Sequence, residues 1–458
     1  MSTVLSKGKP MKPNIVYIHA HDLGRFCEPF GYNIPAPNLM RFAGQGTLFR
    51  QCHCHAPSCA PSRAALVTGE YPHVCGMLGL PAEHLGYKLN DYSHHINAFL
   101  KDNGYETALS GVQHVARAPF ADPENDLGYD RFLNHEDIGN NIYRHTTTTG
   151  AALDYLREEH DKPFFLSVGF VDPHRSNKFD KATFTVSQNN HQPADIDRLA
   201  RFCRPWPHMP DTPVTRREMA NFKIGVELMD SDVGRILKVL DEPAFRENTL
   251  VIFTTDHGPG VCEMKCTLSD RGTGVTTIFR GPDGKDFKGS EFNTGKVFDA
   301  LVQHMDFFPT IADIIGAEPP GWLAGTSLLP LATGEKEQIH DVIFSEQTYH
   351  WGASPRPLRA VRTDRYKYIR SFKPDQPRGV DTGPAETFWN EYGYNKRPFE
   401  DEMLYDLYFD PNEAHNCAQD PEYADILKKM QDHLDTWMKD TNDPLLDGIP
   451  RPPAALGK

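Results

Sequence analysis

The sequence has no apolar run of the ~18–20 residues that a membrane-spanning helix needs, so no such span is expected. It has no surplus of basic residues: 48 Lys and Arg face 62 Asp and Glu, for a formal net charge of −14. Nucleic acid and anionic membrane surfaces both require a positive face, so neither is an expected partner. Any anionic substrate must be drawn by a local cluster of cations or by a metal. Nor is there a paired set of cysteines. The nine are scattered from Cys27 to Cys417, an odd number that makes no disulfide framework and suits a reducing compartment. The opening MSTVLSKGKPMKPNIVYIHAHD lacks an apolar signal core and a cleavage site. A cytoplasmic location is therefore expected for the chain as written, or a periplasmic one where a leader has been removed.

What is present is the composition of a globular protein, 39% hydrophobic and 24% charged. A length of 458 residues sets a prior of two or three domains. Residues 13–19 (PNIVYIH) form a β-rich run that ends at once in His21, Asp22 and Gly24. Polar residues just past a buried strand are where open α/β sheets place their sites. A helix is predicted over 37–45, opened by Pro37, then a strand over 47–55 and a second helix from Pro61. Helices over 91–103, 150–159 and 217–240 alternate with the strands YETALSG, FFLSVGFVD and TLVIFTTDHG. This alternation predicts a mainly parallel sheet flanked by helices. A last helix near 298–316 would close the large domain, set at residues 10–345. Residues 346–450 read as a smaller α+β subdomain: short antiparallel strands, an ordered loop over 373–400, and one amphipathic helix over 421–440.

The sharpest local feature is Cys59-Ala60-Pro61-Ser62-Arg63-Ala64-Ala65-Leu66-Val67-Thr68-Gly69. A Cys opening a helix, with Arg63 one turn on, sits where amide dipoles favour an anionic nucleophile and an anionic substrate. A structural Cys buried at a helix start is the competing reading, and the local pattern alone does not separate the two. Cys52-His53-Cys54-His55 is not a convincing zinc site, because alternate residues of a strand face opposite ways and structural zinc wants four ligands at wider spacing. Cys262 and Cys266 read as incidental to their loop, and His94-His95 as a solvated pair.

C-x-P-S-R-A-A-L-x-T-G resembles the signature of the type I sulfatases, whose Cys is oxidised after translation to formylglycine. PNIVYIHAHDLG, PAPNLMRFAGQGTLF, GYETALSG, NTLVIFTTDHG, HMDFFPTIADIIG, GTSLLPL and LYDLYFDPNEAHN resemble further blocks of that family, across about residues 13–440. FLSVGFVDPHRS, the segments around Cys59 and WMKDTNDP are most similar to the heparan N-sulfatases (N-sulfoglucosamine sulfohydrolases). The resemblance implies an alkaline-phosphatase-like α/β fold with a smaller C-terminal α+β subdomain. It implies a sulfatase acting on a sulfate ester or sulfamate, with an N-sulfoglucosamine-like sugar as first expectation and an O-sulfated glycan as second. It also implies maturation of Cys59 by a formylglycine-generating enzyme or equivalent, and a hydrated formylglycine held on a divalent metal.

Residue by residue, the resemblance makes Asp22, Asp256, His257 and residue 59 metal ligands, with His21 standing where the family has a second Asp. Ca²⁺ is the family's ion, whereas an imidazole at 21 suits Mn²⁺ or Zn²⁺. Arg63 matches the Arg that holds the nucleophile and metal carboxylates. His114 matches the proton acceptor, His174 the residue beside the leaving group, and Lys265 the sulfate contact and a further proton donor. Asp172 and Arg175, flanking His174, are expected to bind substrate. The family's G-K-x-H is here Gly111-Val112-Gln113-His114, so one cation that normally faces sulfate is missing. Two rivals stand beside this reading. One is a phosphonate or phosphate monoester hydrolase with the same nucleophile motif, and the other a non-catalytic binder of sulfated glycans.

Overall fold

The computed structural model describes residues 12–117, 125–133, 145–175, 193–352, 354–373, 383–397 and 399–455. Its larger sheet has eight strands in the order β4-β3-β5-β1-β6-β7-β2-β8. They are β1 (Asn14–Ala20), β2 (Thr47–His53), β3 (Glu106–Gly111), β4 (Arg131–Phe132), β5 (Phe164–Gly169), β6 (Thr249–Thr255), β7 (Thr277–Arg280) and β8 (Val297–Gln303). Every neighbouring pair is parallel except those made by β7, which runs against both β6 and β2.

The sheet is buried on both faces, and the strand period sorts its side chains between two cores. Val16, Ile18 and Ala20 of β1 join Val251 and Phe253 of β6 in one hydrophobic cluster. Ile15 and Tyr17 join Leu250 and Ile252 in the other. The long helix Pro213–Leu240 covers the first face; Thr212 caps it by accepting from the Thr215 amide. The second face is covered by α2 (Cys59–Thr68) and the helix Phe307–Ile315. The helix α1 (Pro37–Gln45) begins and ends where the sequence predicts.

The smaller sheet is antiparallel, in the order β12-β11-β10-β9: β9 (Ile343–Gln347), β10 (Leu358–Arg362), β11 (Tyr366–Ser371) and β12 (Glu402–Asp406). The amphipathic helix Ala424–Asp440 packs Met430, Leu434 and Trp437 against Val361, Tyr368 and Leu404. Polar contacts tie this unit to the helices and loops around the large sheet. Glu346 accepts from His73 Nδ1 at 2.8 Å, and Arg362 Nη2 lies 3.0 Å from Asp270. Among the described residues no helix is long and apolar enough to cross a membrane.

Three sequence expectations are corrected. The helix predicted near 298–316 is β8 followed by the separate helix Phe307–Ile315; the first half pairs in parallel with β2, with a bulge between Phe49 and Gln51. The loop predicted over 373–400 contains the helix Pro384–Glu391, with Pro384 in its first turn. His94-His95 is not a solvated pair. His95 is buried and caps the helix Ile96–Asp102 by accepting from the Asn97 amide at 3.1 Å, and His94 stacks flat on Trp322 at 4.0 Å between centroids. Residues 176–192 lie outside the described residues, and the chain resumes in the helix Pro193–Ala200.

Candidate active site

The candidate residues gather at the carboxyl ends of four adjacent strands. His21 and Asp22 follow β1, His114 follows β3, Asp172 to Arg175 follow β5, and Asp256 and His257 follow β6. β1 pairs with β5 on one side and β6 on the other. That reversal of strand order is the crevice where ligands of open α/β sheets bind. α2 aims its first residue, Cys59, into the same place from the neighbouring β2 connection.

One ligand atom from each of His21, Asp22, Cys59, Asp256 and His257 lies within 4.8 Å of all the others, and all five residues are buried. Asp22 and Asp256 are locked together through the backbone: the Asp22 amide donates to Asp256 Oδ1 at 2.9 Å. The His257 amide donates to the same oxygen at 3.0 Å. The His257 ring turns its Nδ1 to the Gly258 carbonyl at 2.8 Å, which leaves Nε2 buried without a hydrogen-bond partner, 3.5 Å from Asp22 Oδ1. An orphaned imidazole nitrogen facing two carboxylates is a donor set that fits a divalent cation. His21 belongs to the same set. Its Nδ1 stands 2.7 Å from Asp22 Oδ1 and 3.1 Å from Asp256 Oδ2.

Two cations balance the carboxylates. Arg63 places Nη2 at 3.1 Å and Nε at 3.3 Å from Asp256 Oδ2. Lys265 sets Nζ 3.0 Å from Asp22 Oδ2 and 3.4 Å from His174 Nε2. Burial pushes the Asp22 carboxyl up, but Lys265, His174 and His257 outweigh it and hold it well below the usual carboxylate range. Asp256 is likewise held low against burial by His21, His257 and Arg63. Both shifts favour the anionic carboxylate.

Cys59 behaves differently from the expectation of an activated thiol. Burial pushes its pKa well above the ordinary value, and the nearby carboxylates Asp22 and Asp256 add to the rise, against the opposing pull of Lys265 and Arg63. The Arg63 guanidinium is spent on Asp256, so helix position alone does not make residue 59 a thiolate nucleophile.

His114 stands at positive φ (60°) with Nδ1 buried and lacking a hydrogen-bond partner, its ring 5.8 Å from that of His21. Burial, then Arg63 and His174, push its pKa well below the ordinary value, so the ring is neutral. Where a Lys was expected, Val112 is buried, and its carbonyl faces Arg63 Nη1 at 3.5 Å. The His174 ring lies edge-on to His21 at 4.4 Å between centroids. Its neighbour Arg175 is held by the loop after β6 and by the long helix: Nε donates to the Gly260 carbonyl at 2.6 Å and the guanidinium pairs with buried Glu218. Asp172 accepts from the His21 amide at 3.3 Å through its carbonyl. Sequence reasoning did not single out Ser62, whose hydroxyl donates to the Asp256 carbonyl at 2.6 Å. It lies inside the Cys59–Gly69 motif, which was the available signal.

The sulfatase family model matches residues 13–317, and the model of the N-sulphoglucosamine sulphohydrolase C-terminal region matches 288–379. The chain is 28% identical to the human (Homo sapiens) N-sulphoglucosamine sulphohydrolase, over 96% of this chain and 93% of that one. It is 26% identical to a delta 4,5-hexuronate-2-O-sulfatase of Bacteroides thetaiotaomicron, over 94% and 90% respectively. A solved structure in complex with its substrate D-glucosamine-2-N,6-O-disulfate superposes with a TM-score of 0.69 at 18% identity, covering 94% of this chain and 98% of that one. With two thirds of its length matched by the family model and its candidate residues converging in one crevice, the chain belongs to the sulfatase family and is a sulfuric ester hydrolase.

Proposed function

We infer that the enzyme removes sulfate from a sulfated sugar, with the N-sulfo group of a glucosamine as preferred target. The observation that carries this reading is the buried cluster of Asp22, Asp256, His257, His21 and residue 59, bordered by Lys265, His174 and His114. Similarity to an N-sulphoglucosamine sulphohydrolase along nearly the whole chain supports the choice of sugar.

Formylglycine made from Cys59 would supply, once hydrated on a divalent cation, the hydroxyl that attacks sulfur. Asp22, Asp256 and His257 would hold that cation, and Arg63 fixes Asp256. Lys265 and His174 stand together on the opposite side of Asp22, where they contact sulfate and protonate the departing oxygen or nitrogen. His114, neutral and with an open Nδ1, takes the proton released when sulfate is expelled. Asp172 and Arg175 shape the substrate pocket around His174. Arg175 does so through its pairing with Glu218.

The identity of the ion turns on His21. With Nδ1 turned into the donor set, the site offers two imidazoles and two carboxylates, which suits Mn²⁺ or Zn²⁺. Ca²⁺, the family's ion, requires His21 to remain a hydrogen-bond partner of the carboxylates. Metal content after dialysis against all three ions, for wild type and His21→Asp, decides between them. The substitution is expected to move the preference toward Ca²⁺.

The function is tested by inorganic sulfate release from glucosamine N-sulfate, using protein matured in a host with the formylglycine-generating enzyme. An aryl sulfate and phenyl phosphonate run in parallel, and peptide mass spectrometry reports on residue 59. Release from glucosamine N-sulfate is the expected result. Turnover of aryl sulfate alone would discard the N-sulfo assignment, and phosphonate turnover above sulfate would move the enzyme to phosphorus.

A further inference from the structure

The loop between β9 and β10 carries an exposed tryptophan, Trp351, one residue beyond His350, which touches the N-cap of α2. The loop is firmly seated at its base: the Arg356 amide donates to the Thr348 carbonyl at 2.7 Å, closing the loop. Tyr349 is 3% exposed, takes the Leu78 carbonyl through its amide at 2.9 Å, and donates its hydroxyl to the Pro450 carbonyl at 2.9 Å. One residue on, His350 Nδ1 meets the Ser58 hydroxyl at 2.9 Å. Ser58 is buried, is the N-cap of α2, and immediately precedes the nucleophile position 59. The next residue, Trp351, is 62% exposed although its backbone is pinned: its carbonyl lies 2.6 Å from His84 Nε2, and its ring meets the His84 ring edge-on at 5.3 Å. An indole held in place by its backbone yet left open to solvent is a preformed apolar face.

We propose that Trp351 is the platform on which the pyranose ring of the departing sugar stacks, and that the His350–Ser58 contact positions it by tying its loop to the helix that carries residue 59. This proposal rests on the sulfatase reading of the site. A pyranose presents one face of C–H groups that matches an indole, and its polar rim stays hydrated in an open site. The catalytic cluster holds sulfate through charge, and this loop adds the contact that recognises what sulfate is attached to. His350 is a positioning residue: it acts on Trp351 and not on the reacting atoms.

The test uses matured wild type, Trp351→Ala, Trp351→Phe, His350→Ala and His350→Asn. Glucosamine N-sulfate and a disaccharide bearing it are the substrates, and inorganic sulfate is the competing inhibitor. Trp351→Ala is expected to raise KM for both sugars about tenfold with kcat held within about twofold, the scale of one lost aromatic contact. Trp351→Phe should recover most of the loss. His350→Ala should shift KM in the same way, and His350→Asn, which can still meet the Ser58 hydroxyl, should restore it. The inhibition constant of inorganic sulfate should not move in any variant. Unchanged KM in Trp351→Ala, or a parallel loss of sulfate binding, overturns the platform. Failure of the sulfatase reading shows separately, as wild type that turns over neither sugar sulfate nor aryl sulfate. Calorimetric binding of the disaccharide then decides the platform alone: weaker binding to Trp351→Ala supports it, equal binding ends it. Wild type that turns over aryl sulfate but neither turns over nor binds the sugars overturns the platform while leaving the sulfatase intact.

Discussion

At the scale of single residues, the site consists of charges that are tolerable only in each other's company. Asp256 is fully buried and Arg63 nearly so, and the guanidinium makes two contacts to one carboxylate oxygen. Removing one member of such a pair leaves an uncompensated buried charge, a cost of about 3–5 kcal/mol. Arg63→Ala is therefore expected to lower the melting temperature by several degrees and to reduce aryl sulfate turnover at least a hundredfold. A variant with wild-type stability would show that Asp256 is not held by Arg63. Lys265 is a different case, because its ammonium faces both Asp22 and the His174 ring at the crevice. Lys265→Met should cost about 10²–10³ in kcat, as loss of one preorganised charge-stabilising group does, and should weaken inhibition by inorganic sulfate. A kcat within tenfold of wild type would remove Lys265 from the chemistry. The identities of these residues were legible in the sequence because each sits in a motif of its own. The family resemblance also assigned Arg63 to the metal carboxylates, and it is found on Asp256. What no motif discloses is the pairing of Lys265 with Asp22, or that burial pushes the Cys59 thiol up.

At the scale of elements, the active-site residues are aimed by strand ends that come close enough to demand glycine. Gly111 and Gly169 face each other in register where β3 and β5 finish, and the Val112 amide donates to the Gly169 carbonyl at 2.9 Å. A Cβ on Gly169 would stand 2.0 Å from the Val112 carbonyl oxygen, and Gly111 has φ +90°, a region that L side chains rarely adopt. These two glycines let the chain turn sharply and present His114 three residues after Gly111. Gly169→Ala should push the 112–114 turn outward, destabilise the protein by about 1–3 kcal/mol, and reduce kcat while metal content stays at the wild-type value. Loss of the metal together with activity would mean that the strain spreads to β1 and β6. Periodicity made most of these elements readable: α1 ends where predicted, and the β1 and β6 runs carry polar residues just past their apolar cores. It failed at 298–316, where VFDALVQ pairs with β2 before the helix begins. A short apolar run has no period long enough to separate strand from helix, and only the partner strand decides.

At the scale of the whole molecule, the notable feature is how many histidines are folded away as neutral rings. Burial lowers His95 to about 3, with no other contribution. It is also the leading cause for His304, lowered to about 3, and His208, lowered to about 3. The sign follows from linkage. A histidine whose pKa is depressed by folding binds its proton more readily in the unfolded chain, so its contribution to stability is complete above the unfolded value near 6.5 and disappears as pH falls toward 3. His340 has the opposite sign. Burial lowers it, but its contacts to Asp306 raise it above the ordinary value, so it gains on acidification. Among the described residues His19, His21, His53, His55 and His114 are lowered as well, so the depressed groups outweigh the raised His340. The protein should therefore lose stability steadily between pH 6.5 and 4.5, by about 2–3 kcal/mol for each fully buried histidine at the lower end. His95 isolates the effect, because its ring caps the helix Ile96–Asp102 and otherwise meets the Tyr129 ring edge-on, with no charged partner. Asn is an effective cap and does not titrate. Thermal melts of wild type and His95→Asn at pH 7.5 and 4.5 should show similar midpoints at the higher pH and a smaller fall for the variant. Equal falls would mean that His95 stays neutral in the unfolded chain as well, and that acid sensitivity arises elsewhere in the fold.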